Sequence, residues 1–508
     1  MFKTYNRFMK IACLLIAMLM CMSLFSGCKG KKNSDSGQNS SKEVSSVKET
    51  EAMENYENVW DPHIPEQKNL DGFELKIATQ YPNLIFPEEG VSHEDDQILE
   101  IMKDLQKRYN CKFSVYEVAD WSTGDVMSDL LAGDEVAHVI MPEVWRSGLF
   151  VSARVLMDWN SEAIKKYVHT EELWWNNTMA YASNVNGKVY AGACNIQNYT
   201  DWSSVCFFNK KILSEIGSSE EEIYKMYEDK TWTWQAFRDL AQRAVADLNN
   251  DGQMTEADQF GFSSSDYDAL MAFVSSADAD VIRSDNGKNA RYTYDKQREI
   301  KVLSTLNEMY TLDGSYFSDS MKVFGDVQGF VKQFITGKSL FCIYSFGFIR
   351  NPGFRLMQED LGVLPIPLGP DTDGEGWQDH YISRVDHNFI ATLIPENNNN
   401  VENTALLLEA MAFTRWRNTN DRMEAMGILY CSDDYAAEIV RELYNFSSFE
   451  ISQFVYSVNN HAFAKAVCWE MSKITQNPGM DISGYWGAAA QAAQDIINAY
   501  FSDKPILE

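Results

Sequence analysis

The chain has 508 residues, a formal charge of −29 and 13% aromatic residues, 13 of them tryptophan. That length provides for two large lobes or several domains with an ample core. The negative field excludes nucleic acid and anionic membrane surfaces as direct partners; it favours solubility and carries no information about fold.

Residues 1–10 are basic, and residues 11–25 form an uncharged apolar run. This run is shorter than a comfortable membrane span and has the length of a signal-peptide core. The segment Leu24-Phe25-Ser26-Gly27-Cys28 resembles a bacterial lipobox, with Phe25 standing where that motif has leucine. The resemblance implies a signal peptide over residues 1–27 and an acyl-bearing, palmitate-type anchor on Cys28; the alternative is a plain N-terminal membrane anchor. Residues 28–70 are rich in Ser, Lys, Glu and Asn. Too little apolar surface is present to offset the entropy of ordering, so this segment is expected to be a flexible tether.

The body opens on the alternating strand Phe73-Glu74-Leu75-Lys76-Ile77-Ala78. An amphipathic helix follows over residues 98–109, then a strand over 111–118, a helix over 126–131 and a strand over 136–141. This β-α-β-α-β order implies a parallel sheet with right-handed crossovers. Thr233 is placed to cap a helix that begins at Trp234. Residues 330–334 end a helix at Thr336-Gly337-Lys338, and residues 340–348 form an apolar run suited to a strand buried on both faces. Helices are expected over residues 406–416, 462–474 and 486–501. Of the nine cysteines, Cys13, Cys21 and Cys28 belong to the leader; the six in the body follow no metal-type spacing and read as small buried hydrophobes.

The sharpest chemical signal is the segment 247–258, with Asp247, Asn249, Asp251 and Asp258 at loop positions 1, 3, 5 and 12 and Gly252 at position 6. Ca2+ takes six to eight oxygens, and this spacing wraps them round one ion while glycine allows the sharp turn. Gln253 would contribute its backbone carbonyl, and Thr255 would act directly or through water. Asp258 stands where an EF-hand has glutamate; the competing reading is a polar turn. The expected role is structural. Dockerins, which bind a protein partner, carry two such loops, and this chain has one. No nucleophile elbow, zinc-protease helix, P-loop or dinucleotide fingerprint is present. Asp379-His380, Asp386-His387 and Asp433-Asp434 are acid-rich pairs that a glycosidase could use.

The stretch 330–370, with Phe334 separated by two residues from Gly337-Lys338, its apolar strand and Gly362-Val363-Leu364-Pro365 running on to Gly369-Pro370, resembles the extracellular solute-binding proteins of ABC importers, in the family that contains maltose-binding protein. Gly187-Lys188-Val189-Tyr190-Ala191, Phe208-Asn209-Lys210 and Thr233-Trp234 through Phe237 resemble further steps of that family. The resemblance, which covers residues 71–430, implies an α/β two-lobed binding-protein fold of type II, each lobe a mostly parallel sheet flanked by helices. It places lobe 1 at 71–200 plus 380–425 and lobe 2 at 201–379 plus 426–508, with a hinge near 198–203 and later crossings near 380 and 425. It implies a monomeric, lipid-anchored body that closes on a sugar or oligosaccharide and delivers it to the permease subunits of an ABC importer, without catalysis. The family's cleft positions fall on Gln80, Glu143, Trp145, Asp201, Trp202, Tyr267, Tyr344, Phe346, Trp377 and His387, with Trp145, Tyr267 and Phe346 expected as stacking faces. A secreted polysaccharide-active lipoprotein, hydrolase or lyase, is the alternative.

Overall fold

The computed structural model describes residues 60–506 apart from 122–124, 320, 321, 325, 326, 372–375 and 432, and describes residues 419–429 by their backbone alone. The signal peptide, Cys28 and most of the expected tether lie outside the described residues. The alternation at residues 74–79 makes β1 (Glu74–Thr79), which buries Leu75 and Ile77 completely. It lies between β2 (Lys112–Glu117) and β3 (Val139–Met141), parallel to both, with Ile77 opposite Val115 and Val139. The intervening α1 (His93–Tyr109) starts five residues earlier than its apolar periodicity indicates. Ser92 is the reason: its hydroxyl accepts the Asp95 N–H at 3.0 Å, and Glu94, Asp95 and Asp96 complement the helix dipole. A second helix, α2 (Asp125–Ala132), leads back to β3, and α3 (Val144–Ala153) follows directly.

Residues 60–70, assigned to the tether from their composition, are packed against this sheet instead. Ile64 and Leu70 are buried, Trp60 meets Phe413 edge-on at 5.9 Å, and the Arg108 guanidinium lies 4.7 Å from the Trp60 ring. Three apolar anchors within eleven residues suffice to dock the segment, although its average composition is polar.

The second sheet has five strands in the order β6–β5–β7–β4–β8. These are β4 (Ser204–Asn209), β5 (Phe260–Ser264), β6 (Tyr316–Phe317), β7 (Ser339–Ser345) and β8 (Leu361–Pro365). β5, β6 and β7 run parallel, while β4 pairs antiparallel with β7 and β8. The apolar run after Gly337 is the central strand, as its composition requires. It stops at Ser345, where the chain tightens into a 3-10 turn, Phe346–Arg350. Thr233 caps α4 (Trp234–Ala244), its hydroxyl accepting from Ala236 N–H, and α5 (Asp268–Ser276) leaves the carboxyl end of β5.

Two stretches run side by side between the sheets: the bridges Gly192–Thr392 and Ser203–Val385 hold 192–203 against 385–392. The helix expected over 406–416 is much longer, α6 (Val401–Cys431), and α7 (Asp434–Phe446) folds back on it. The helix expected over 462–474 is broken into short pieces, whereas α9 (Ile482–Tyr500) is continuous. Ahead of them in the chain, α8 (Ile451–Val455) packs on α3. The six body cysteines are buried and unpaired. Among the described residues, no helix is long and apolar enough to cross a membrane.

Candidate functional site

Parallel strands bring their carboxyl ends, and the loops that follow, to one edge of a sheet, which is where open α/β sheets collect ligands. In the first sheet that edge presents Gln80, Tyr81, Glu143, Trp145 and Arg146; in the second it presents Tyr267 and the 346–350 turn. Between them pass the paired stretches 192–203 and 385–392.

On the first edge, Gln80 donates from Nε2 to the Ala119 carbonyl at 3.0 Å. Glu143 is buried; its Oε1 accepts from the Tyr81 hydroxyl at 2.8 Å, and its Oε2 lies 3.3 Å from Arg146 Nε. Burial and the Glu143 carboxylate together push the Tyr81 phenol up to about 12. The Arg146 guanidinium also lies 4.3 Å from the Trp145 ring centre, so one residue orients both neighbours.

Trp145 and Tyr267, from opposite edges, converge on a third ring, Tyr456, at 6.1 and 6.3 Å. His387 stacks on Tyr456 at 5.6 Å and 17°, and meets Tyr267 edge-on at 5.9 Å. Beneath these rings His387 Nδ1 is 3.0 Å from Asp268 Oδ1 and 3.9 Å from Asp386. Burial opposes charging the imidazole, but Asp268 more than offsets it and the His387 pKa is raised. Burial likewise raises Asp268, yet the opposed charges of His387 and Arg384 hold it below its ordinary value; Asp386, facing Asp268, is raised by burial and by that like charge. Arg384 reaches 3.6 Å from Asp268 and donates from Nε to Glu450 at 2.7 Å. Asp268, Asp386 and His387 come close enough to share a metal ion. The Arg384 guanidinium already lies 3.6 Å from Asp268, so a metal ion there would meet a like charge and the donor set does not suit one.

On the other side of Trp202 lies a cavity of about 430 Å³ bordered by Asn83, Asn198, Asp201, Trp202, Arg350 and Asn418. Its size fits a small ligand. Asp201 is raised by burial even though Arg350 donates to it at 2.8 Å. The cavity adjoins the crossing stretches, with Asp386 N–H donating to the Trp202 carbonyl at 2.9 Å.

A model for the bacterial extracellular solute-binding proteins matches residues 92–385, more than half of the chain. The chain belongs to that family. Among solved structures it is similar to an ABC-transporter solute-binding protein of Thermotoga lettingae TMO bound to alpha-D-tagatose, at 14% identity and TM-score 0.50. It is also similar to UgpB of Mycobacterium tuberculosis in complex with glycerophosphocholine, at 12% and 0.50. A third is the cyclic alpha-maltosyl-1,6-maltose binding protein of Arthrobacter globiformis, at 13% and 0.52. Each likeness covers 84% of this chain and 99% of the other. Identities this low carry the two-lobed fold and nothing finer. No curated protein sequence matches the chain.

Of the cleft positions expected in this solute-binding protein, Trp145, Tyr267 and His387 come together and Asp201 and Trp202 border the cavity. Tyr344 is packed between Phe330 and Phe348, at 5.1 and 4.5 Å. Two expectations are corrected. Phe346 is fully buried: the chain turns at Ser345, Phe346 N–H donates to the Ser203 carbonyl at 2.9 Å, and the ring points into the core with no face to offer a ligand. Trp377 is exposed but sits at the wrong end of α5. Its neighbour Gln378 donates to the Gly369 and Ala277 carbonyls, one helix length, about 13 Å, from Tyr267. Tyr456, Arg384 and Glu450 were not legible as site residues. The one local signal was Asn459-Asn460, a pair that favours turns, just after Tyr456.

The other acid pairs lie apart from these rings. Asp379-His380 is an exposed pair, and Asp433 caps α7 while binding Lys210 at 2.7 Å. In the 247–258 loop, Asp247 Oδ2 accepts Gly252 N–H at 2.8 Å, Asn249 Oδ1 accepts Asp251 N–H at 2.8 Å, and Asp251 Oδ1 accepts Gln253 N–H at 2.8 Å. Gly252 has φ +77°, which the tight turn requires. Asp258 is buried and joins the loop ends, one oxygen accepting Leu248 N–H at 3.0 Å and the other Thr255 N–H at 2.9 Å. These bonds, Thr255's foremost, hold its carboxyl below the ordinary range. The loop thus gathers its carboxylate and amide acceptors on one short ring, and its donor chemistry fits a hard cation.

Proposed function

We propose that this protein is the lipid-anchored, extracellular binding component of an ABC importer and captures a sugar or oligosaccharide by closure of two lobes, 71–200 with 380–425 and 201–379 with 426–508. The observation that carries the reading is the convergence of Trp145, Tyr267, Tyr456 and His387 at the facing edges of the two sheets, in a chain of this family. Aromatic faces cover the apolar face of a pyranose at small entropic cost, and Glu143, Asp268 and Asp386 beside them accept hydroxyl hydrogen bonds. Neighbours of the same fold bind tagatose and a cyclic maltosyl-maltose, which supports the ligand class. The permease subunits are the protein partners this reading implies, and the body acts as a monomer.

The test is a thermal-shift and calorimetric screen of mono- to tetrasaccharides, with glycerophosphocholine as a non-sugar comparator. A ligand at a hundred times its Kd adds about 2.7 kcal/mol of stability. A panel in which no saccharide raises Tm while glycerophosphocholine does would end the carbohydrate reading. The anchor on Cys28 predicts that palmitate labelling of the wild-type chain disappears in Cys28→Ala; labelling that persists removes the assignment.

We also propose that the 247–258 loop holds Ca2+ through Asp247, Asn249, Asp251, the Gln253 carbonyl and Asp258, as a structural ion of the second sheet's surroundings. Chelation is expected to lower the Tm of the wild type, and Asp251→Ala to remove that dependence. A Tm indifferent to chelator, in protein whose elemental analysis contains no calcium, would leave the loop a polar turn.

A further inference from the structure

The residues after 385 lie beyond the family match, yet they supply part of the aromatic corner. The route is unusual. Within Val458–Ala466 three successive residues, Asn459, Asn460 and His461, have φ of 53°, 52° and 59°. Single left-handed residues are common in turns, but a run of three non-glycine residues is strained and persists only where its surroundings enforce it. Here Ser457 donates to the Trp145 carbonyl and Lys465 to the Asn460 carbonyl at 2.7 Å, pinning both flanks. The result is a shelf that leads outward from Tyr456. The Trp469 indole N–H donates to the Tyr456 hydroxyl at 2.7 Å, and His461 lies 5.9 Å from the Trp469 ring at 31°. Trp469 is 51% exposed, one of the largest apolar surfaces left open on the described residues. Next to it in the chain, Glu470 is hydrogen-bonded to Lys473 and Tyr485.

We propose that this C-terminal shelf is an added sugar subsite: Trp469 takes, by stacking, a pyranose unit next to the one held at Trp145, Tyr267 and Tyr456, so the ligand is an oligosaccharide. The inference rests on the carbohydrate reading above. An indole held by its N–H and half exposed presents a fixed face on which a sugar ring can stack. The occupant is a neutral saccharide ring because the cations at the corner and shelf are already ion-paired, Arg146 with Glu143, Arg384 with Glu450 and Lys473 with Glu470.

The experiment is calorimetric titration of wild type, Trp469→Ala and Trp469→Phe with glucose and gluco-oligosaccharides of two to four units in α-1,4 and β-1,4 linkage, alongside their melting temperatures. The wild type is expected to bind the longer members more tightly. Trp469→Ala should lose about tenfold to a hundredfold for three and four units, by analogy with single stacked bases, and stay within threefold for the shortest ligand bound. Trp469→Phe, which keeps a ring face, should recover most of the loss. Melting temperatures should stay close to wild type, because the indole is exposed. Equal losses at every length, no loss at any, or wild-type binding of the monosaccharide alone would overturn the subsite while leaving the sugar cleft intact. Failure of the wild type to bind any of these saccharides, or any in the wider screen, would overturn the carbohydrate reading itself.

Discussion

Gly148→Ala is expected to be among the most damaging single-methyl changes in the molecule. Gly148 lies inside α3, where alanine is ordinarily the better helix former by about 1 kcal/mol. A Cβ there would sit 1.6 Å from the Phe454 carbonyl oxygen and 2.7 Å from its carbon. Those are backbone atoms of α8, so no side-chain rotamer relieves the overlap. Either α3 and α8 part or the variant fails to fold. The cost should reach or exceed the top of the roughly 1–3 kcal/mol range for overpacked cores. Separation would also carry Tyr456 away from Trp145, so under the proposed function ligand affinity should fall in titration together with Tm in thermal denaturation. A variant with wild-type Tm would show that α3 and α8 are not packed as described.

Phe346→Ala and Tyr267→Ala should differ in kind. Phe346 is fully enclosed, and truncating a buried phenylalanine costs about 3–5 kcal/mol through lost transfer energy and the cavity left behind. Its affinity for ligand, measured per folded molecule, should be almost unchanged. Tyr267 is only partly buried and faces His387, Tyr456 and Arg384. Tyr267→Ala should therefore lose affinity by about tenfold or more, as stacked partners do, with a smaller change in Tm. Urea denaturation and titration of both variants separate the two roles. If Phe346→Ala abolishes binding while remaining stable, the ring belongs to the cleft and the buried placement is wrong for the liganded state.

Local chemistry was legible from the chain. Alternation at residues 74–79 and the apolar run after Gly337 report strands because side chains alternate across a sheet, and burial on both faces demands unbroken apolar sequence. Thr233 was readable as a cap because a hydroxyl before a helix has a fixed N–H to satisfy. Residues 247–258 read as a tight oxygen-lined loop because that geometry depends on neighbours within twelve positions. The family motifs between 187 and 370 are likewise local, and they located the paired sheet edges without showing which side chains would meet there.

That meeting was decided in three dimensions. Phe346 and Tyr267 follow strands of one sheet, yet a 3-10 turn after Ser345 rotates the first into the core while α5 begins at the second. Trp377 resembles a cleft aromatic in sequence, but the chain lays it at the far end of α5. Ser457 and Trp145 are 312 positions apart, and their contact, with Tyr456 on Trp145 and Trp469 on Tyr456, exists only because α8 docks on Gly148 and three residues accept a left-handed backbone. The sequence by itself determined the strands, caps, loop and family, since those rest on short-range sterics and burial periodicity. Only the tertiary structure decided which rings share the site, because ring placement depends on how distant elements pack, and packing energy is written in no single stretch of chain.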